Sequence, residues 1–137
     1  MTIIDQLVED FELLGNWEDR FVYILDIGEK LPLIPEEDKT EETLVRGCTS
    51  NSWVKGGFTD GRFDFVADSE APIGRGMLAL ARMIYAGKTA KEVLALNMLD
   101  FANRTGLVEH LTPTRQKGLH ALVGWIHNLA KQQLARE

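Results

Sequence analysis

Cys48 is the one cysteine in this chain, and it sits in "LVRGCTSNSW", residues 44 to 53. A thiol offers two kinds of chemistry: as thiolate it attacks carbonyl or sulfur centres and binds metals, and as a neutral group it packs as a small hydrophobe. Here Arg46 and Gly47 precede it and Thr49-Ser50-Asn51 follow, which is turn-forming company. Gly47 permits unusual backbone angles or the close approach of another chain. Arg46 is near in sequence, and Lys55, Arg75 and Arg115 are candidates to be near in space, where a cation favours thiolate. The residues alone leave both roles open, the packed thiol and the reactive one.

Other chemistries find less support. One cysteine and the scattered His110, His120 and His127 do not supply the ligand set of a zinc site. "GRG" at 74 to 76 lacks the glycine spacing and the preceding strand of a nucleotide loop, and no serine elbow is present. Two further readings remain beside a sulfur-handling role. One is a hydrolase using Cys48 with His110 or His120 as base, and the other is an adaptor with an inert thiol. The formal charge of -6, from 21 acids against 15 bases, argues against a nucleic-acid backbone as ligand.

At 137 residues the chain has the size of a single domain. Such a domain buries roughly two-thirds of its unfolded surface and needs neither disulfide nor metal to hold together. The most apolar segment, "MLALARMIYA", is interrupted by Arg82 and is short of the ~20 residues of a bilayer span. The acidic start "MTIIDQLVEDFELLG" lacks the basic opening and apolar run of a signal peptide. The expected location is the cytoplasm, with no membrane partner.

Several elements must position the cysteine. Ile3, Ile4, Leu7, Val8, Phe11 and Leu14 repeat at helical spacing up to Gly15. Asn16 is placed to cap a second helix with Phe21, Ile24, Leu25 and Ile27 inward, which "LPLIP" stops. The acidic run "EEDKTEE" reads as a solvated loop, with a docking patch for a basic partner as the sharper alternative. "TLVRG", "NSWVKGGF" and "GRFDFVA" read as three antiparallel strands, the last two joined by Asp60-Gly61, a type I′ hairpin signal. Phe63, Phe65 and Ala67 alternate with Arg62, Asp64 and Val66, as one-sided burial requires.

Asp68-Ser69 is expected to open a helix running to near Gly87. Thr89 to Glu92 fits a capping box, a short helix spans 99 to 104, and Thr112-Pro113 opens a long last helix. The fold class is therefore α+β, a small three-stranded antiparallel sheet packed with about five or six helices.

Four ordered stretches resemble the SufE family of sulfur-acceptor proteins. "NWEDRFVYILDIGEKLP" is similar to its N-terminal helix and Leu-Pro stop, and "VRGCTSNSW" to its Gly-Cys-Gln-Ser loop. "ADSEAPIGRGMLALARMIYAGKT" resembles its Asp-Ser-Asp/Glu-Ala segment and Arg/Lys-Gly helix, and "HLTPTRQKGLHALV" its Leu-Ser/Thr-Pro-Ser/Thr-Arg-x-x-Gly-Leu stretch. Thr49 and Asn51 stand where glutamine is usual, and Ser52 where an apolar residue is usual.

The resemblance implies one domain over 1–137 with a fold also like that of IscU-type scaffolds. It implies a carrier whose Cys48 takes sulfane sulfur from the persulfide of a SufS-like, pyridoxal-phosphate cysteine desulfurase, stimulating it. The sulfur then passes to a SufBCD-like iron–sulfur scaffold complex. The carrier itself needs no cofactor, and a homodimer stays open. A paralogue serving tRNA thiolation or cofactor synthesis is the alternative within the family. Arg46, Gly47, Ser50, Asp68, Glu70 and Arg115 are the expected supporting residues around Cys48, with Asp68 to Glu70 accepting hydrogen bonds from the loop. Val45 and Trp53 are expected to cover the thiol.

Physical chemistry indicates what such a site must supply. A free thiol is roughly 3% thiolate at pH 7. Lowering its pKa to about 7 raises that roughly 15-fold but costs about 5-fold in nucleophilicity, a net gain of about threefold. Positioning supplies far more. A loop built for docking and shielding is therefore expected, rather than one with an extreme pKa.

Overall fold

The computed structural model describes residues 1–45 and 50–137, so Arg46, Gly47, Cys48 and Thr49 lie outside the described residues. Among the described residues six α-helices pack with a two-stranded antiparallel sheet: α1 Ile3–Leu14, α2 Trp17–Glu29, β1 Ser52–Thr59, β2 Arg62–Ser69, α3 Pro72–Tyr85, α4 Ala90–Ala95, α5 Met98–Thr105 and α6 Pro113–Arg136.

Local chemistry sets most boundaries. The Asn16 side chain accepts from the Asp19 N–H at the start of α2, and Thr89 and Glu92 form the reciprocal box that opens α4. Thr112 caps α6 ahead of Pro113. At the hairpin, Asp60 and Gly61 have φ of 53° and 77°, the positive pair that a type I′ turn demands. Phe63, Phe65 and Ala67 are buried while Arg62 and Asp64 are exposed, so the alternation places β2 as expected. Leu25 departs from its expected inward position and is exposed.

Two expectations need correction. Among the described residues the sheet has two strands, not three. The segment at 44 contributes one bridge, Leu44 to Trp53, because a turn ends immediately before it, with the Thr43 N–H donating to the Thr40 carbonyl at 3.2 Å. Leu33 makes a similar single bridge to Ala67 on the far edge. Both flanks of the sheet are thus covered by short contacts rather than strands. Secondly, Asp68 and Ser69 do not open a helix. They end β2 in register with Trp53 and Ser52, and α3 begins only at Pro72, whose ring suits the first helical turn.

The core packs α2 on α3, α1 on α5 and α4 on α6 over one face of the sheet. Phe11 meets Tyr23 and Phe101 edge to face at centroid distances of 5.6 and 5.0 Å. The "GRG" motif has a packing role. A Cβ on Gly76 would overlap Ile24 of α2, and one on Gly28 would come within 2.7 Å of the Gly76 nitrogen. Glycines at both positions let α2 and α3 approach closely.

Candidate functional site

Residues 46–49 spring from two arms, 35–45 and 50–52, and the described arms show how the base is built. The Val45 N–H donates to the Ser52 carbonyl at 2.7 Å, and the Val54 N–H to the Thr43 carbonyl at 2.8 Å. On the return arm Ser50 is half-buried, and Asn51 exchanges two hydrogen bonds with Glu70. The Asn51 N–H donates to Glu70 Oε1 at 3.0 Å, and the Glu70 N–H donates to the Asn51 carbonyl at 2.9 Å.

Between the arms lie Ser52, Asp68 and Ser69, all buried. Ser52 Oγ donates to Ser69 Oγ at 2.9 Å, and Ser69 Oγ also accepts the Ala71 N–H. Ser69 occupies the inward position of the alternation Phe63, Phe65, Ala67, and a serine in an inward slot is the signal in the sequence that marks it. Asp68 accepts from Lys39 Nζ at 2.8 Å on one oxygen, and from Arg75 Nε at 2.7 Å and its neighbour's N–H at 2.8 Å on the other. Burial alone would raise this carboxyl. The hydrogen bonds from Lys39, the Ser69 N–H and Arg75 outweigh it and hold Asp68 ionised below its usual range.

Below the arms is a cavity of about 30 Å³, lined mainly by apolar groups of Val45, Met77, Leu78, Leu119 and Leu122, with Ser52 and Arg115. It has room for a group about the size of a water molecule. Arg115 stands in the first turn of α6, where the helix dipole opposes a cation, so its place there does not serve the helix. Gly74 leaves room for this meeting of side chains. A Cβ there would overlap Ser69 Oγ and stand 3.5 Å from Arg115 Nη1.

Of the expected supporting residues, the structure places Asp68, Glu70 and Arg115 around the two arms and the cavity. Glu70 accepts from the return arm, while Asp68 engages Lys39 and Arg75 instead of the loop backbone. Val45 lines the cavity, but Trp53 alternates to the opposite face of β1 and lies under Lys39, 5.0 Å from its ammonium. Lys55 pairs with Asp38 on the exposed side. Among the described residues neither His110 nor His120 lines the cavity; His110 stacks on Trp17 at 4.1 Å and His120 is exposed.

Lys39 was hidden in the acidic run. Glu37, Glu41 and Glu42 are solvated as expected, but the one lysine among them turns inward to the buried carboxylate. No helix among the described residues is long and apolar enough to cross a membrane.

Comparison with known proteins gives one consistent result. Residues 5–130 match the SufE domain, described as an Fe-S metabolism associated domain. A SufE-like protein of Rhizobium meliloti is 37% identical over 138 residues, covering 98% of this chain and 99% of that protein. One from Rhizobium etli is 37% identical over 139 residues, with 98% and 94% covered. The solution structure of a hypothetical protein from Thermus thermophilus superposes with a TM-score of 0.80 at 24% identity, covering 98% and 99% of the two chains, and shares the fold.

Proposed function

The chain belongs to the SufE family, and from that premise we propose that Cys48 accepts and carries sulfane sulfur from a cysteine desulfurase to an iron–sulfur cluster scaffold. The observation that carries the proposal is the base beneath the cysteine loop. Its two arms are pinned at Val45 and Asn51 over an apolar cavity that also holds the cation Arg115.

In the transfer, the Cys48 thiolate attacks the outer sulfur of the partner's persulfide. The sulfur–sulfur bond of that persulfide breaks, the partner's thiolate leaves, and a new persulfide forms on Cys48. A second exchange hands the outer sulfur to an acceptor thiol and regenerates the Cys48 thiol. The carbon–sulfur bond of the substrate cysteine is broken on the desulfurase, where pyridoxal phosphate supplies the electron sink.

The roles of this chain's own residues are to present, shield and steady the sulfur. Val45, Met77 and Leu119 keep water from the cavity, and Arg115 supplies positive charge to a thiolate or persulfide anion nearby. Glu70 fixes the return arm. Docking of the desulfurase brings its persulfide to Cys48, so the exchange proceeds within the complex, where positioning supplies most of the rate.

The test is direct. The protein is incubated with a cysteine desulfurase and cysteine, and intact mass is read. One added sulfur atom is expected on the wild type and none on Cys48→Ser, which also ceases to stimulate sulfide release. A serine variant that stimulates as well as the wild type ends the proposal.

A further inference from the structure

We propose that Lys39 is a positioning residue, whose bond to the buried Asp68 carboxylate holds the arm that leads into the cysteine loop. The inference deepens the sulfur-carrier reading and rests on it. Its starting point is that one three-residue stretch, 68–70, holds both arms. Asp68 holds the entry arm through Lys39 at 2.8 Å, Ser69 holds Ser52 at 2.9 Å, and Glu70 holds Asn51 at 3.0 Å.

The remaining ties of the entry arm are of another kind. Thr43 and Val45 contribute backbone bonds to β1, and the Thr43 hydroxyl donates to the Asp38 carbonyl within the arm itself. Lys55 reaches Asp38 only at the exposed flank. Lys39 differs because its side chain is 14% exposed and its partner Asp68 8%, against 85% for its second partner Glu36. A backbone bond lets the arm slip in register, whereas a buried ion pair has one place to go.

The Lys39 ammonium also stands over the ring of Trp53, next in sequence to Ser52 of the return arm. The pin thus couples the start of one arm to the end of the other. Arg75 satisfies the second oxygen of Asp68 from α3, so it supports the carboxylate from outside the entry arm.

The experiment separates positioning from stability by a double-mutant cycle. Lys39→Met, Asp68→Asn, both together and Lys39→Arg are compared for melting temperature, for the alkylation rate of Cys48 by iodoacetamide, and for sulfur acceptance from a desulfurase. The single Lys39→Met variant leaves Asp68 under-compensated and melts lower, while the double variant recovers much of that loss. In the double variant Cys48 alkylation is expected to rise about tenfold and sulfur acceptance to fall about as much. Lys39→Arg keeps both near wild type, since the cation still reaches Asp68.

Wild-type alkylation in a folded double variant overturns the role of Lys39, as does a Lys39→Arg variant as altered as Lys39→Met. If the wild type accepts no sulfur while alkylation still shifts, the carrier reading falls and the positioning role of Lys39 stands.

Discussion

The two ends of the sheet are held by different means. At the hairpin end, Asp60 and Gly61 turn the chain in two residues, and Phe58 and Phe63 pack across the strands at 5.3 Å. The turn itself needs only these six residues of sequence, and Phe63 adds backbone hydrogen bonds with Gly87 and Lys88. At the open end Ser52 faces Ser69, and the three buried polar side chains found among the described residues, Ser52, Asp68 and Ser69, gather there. The cations that pair with Asp68 come from positions 39 and 75, and Arg115 lines the cavity beside Ser52. Buried polar groups cost more than apolar ones unless all are paired. Their concentration under the arms of the cysteine loop marks the end where a fixed geometry matters more than maximal stability.

Substitutions at the two ends should therefore separate stability from function. The largest effect is expected for Asp68→Asn, which removes the carboxylate between two cations and should cost about 3 kcal/mol at neutral pH. Its sign with pH is defined. Because the folded pKa is depressed, the contribution of Asp68 is fully present above the unfolded carboxylate value near ~4 and is lost as pH falls through the lower folded value. Chemical denaturation from neutral pH into acid should show a shallower loss for Asp68→Asn than for the wild type. Parallel curves would mean that Asp68 is not the charged hub described.

Gly74→Ala comes next. The new methyl overlaps Ser69 Oγ and crowds Arg115, so a loss of about 2 kcal/mol is expected, together with impaired sulfur acceptance. A variant destabilised by that amount but still accepting sulfur at the wild-type rate would detach the cavity from the function. The smallest effect belongs to the hairpin. Gly61→Ala, at φ 77°, should cost about 1 kcal/mol in urea titrations and leave sulfur acceptance unchanged. A change in acceptance there would erase the distinction between the two ends.

How far each end was legible follows from the range of its interactions. Asp60-Gly61, the alternation of Phe63, Phe65 and Ala67, and the caps Asn16, Thr89 and Thr112 act over two to four residues, and each appears where the sequence places it. The start of α3 was misplaced because Asp68-Ser69 looks like a cap when read locally. Pairing with Trp53 and Ser52, far along the chain, draws both residues into β2 instead. Among the described residues the third strand is reduced to the Leu44 bridge for a related reason: a turn at 40–43 comes immediately before it. Motif resemblance places Glu70 and Arg115 near the loop, and what each touches is visible only in the fold.

By itself the sequence determined the α+β class, most helix boundaries and the hairpin. Those features depend on side-chain period, capping and turn chemistry, which are short-range. The tertiary structure decided which charges meet. Lys39 reads as one more solvated residue in an acidic run until the fold sets it 2.8 Å from a carboxylate 29 positions away. Arg75 and Arg115 are equivalent cations on paper, yet one supports Asp68 and the other lines the cavity. Ion pairing depends on distance and on exclusion of water, and neither exists until the helices and sheet have packed.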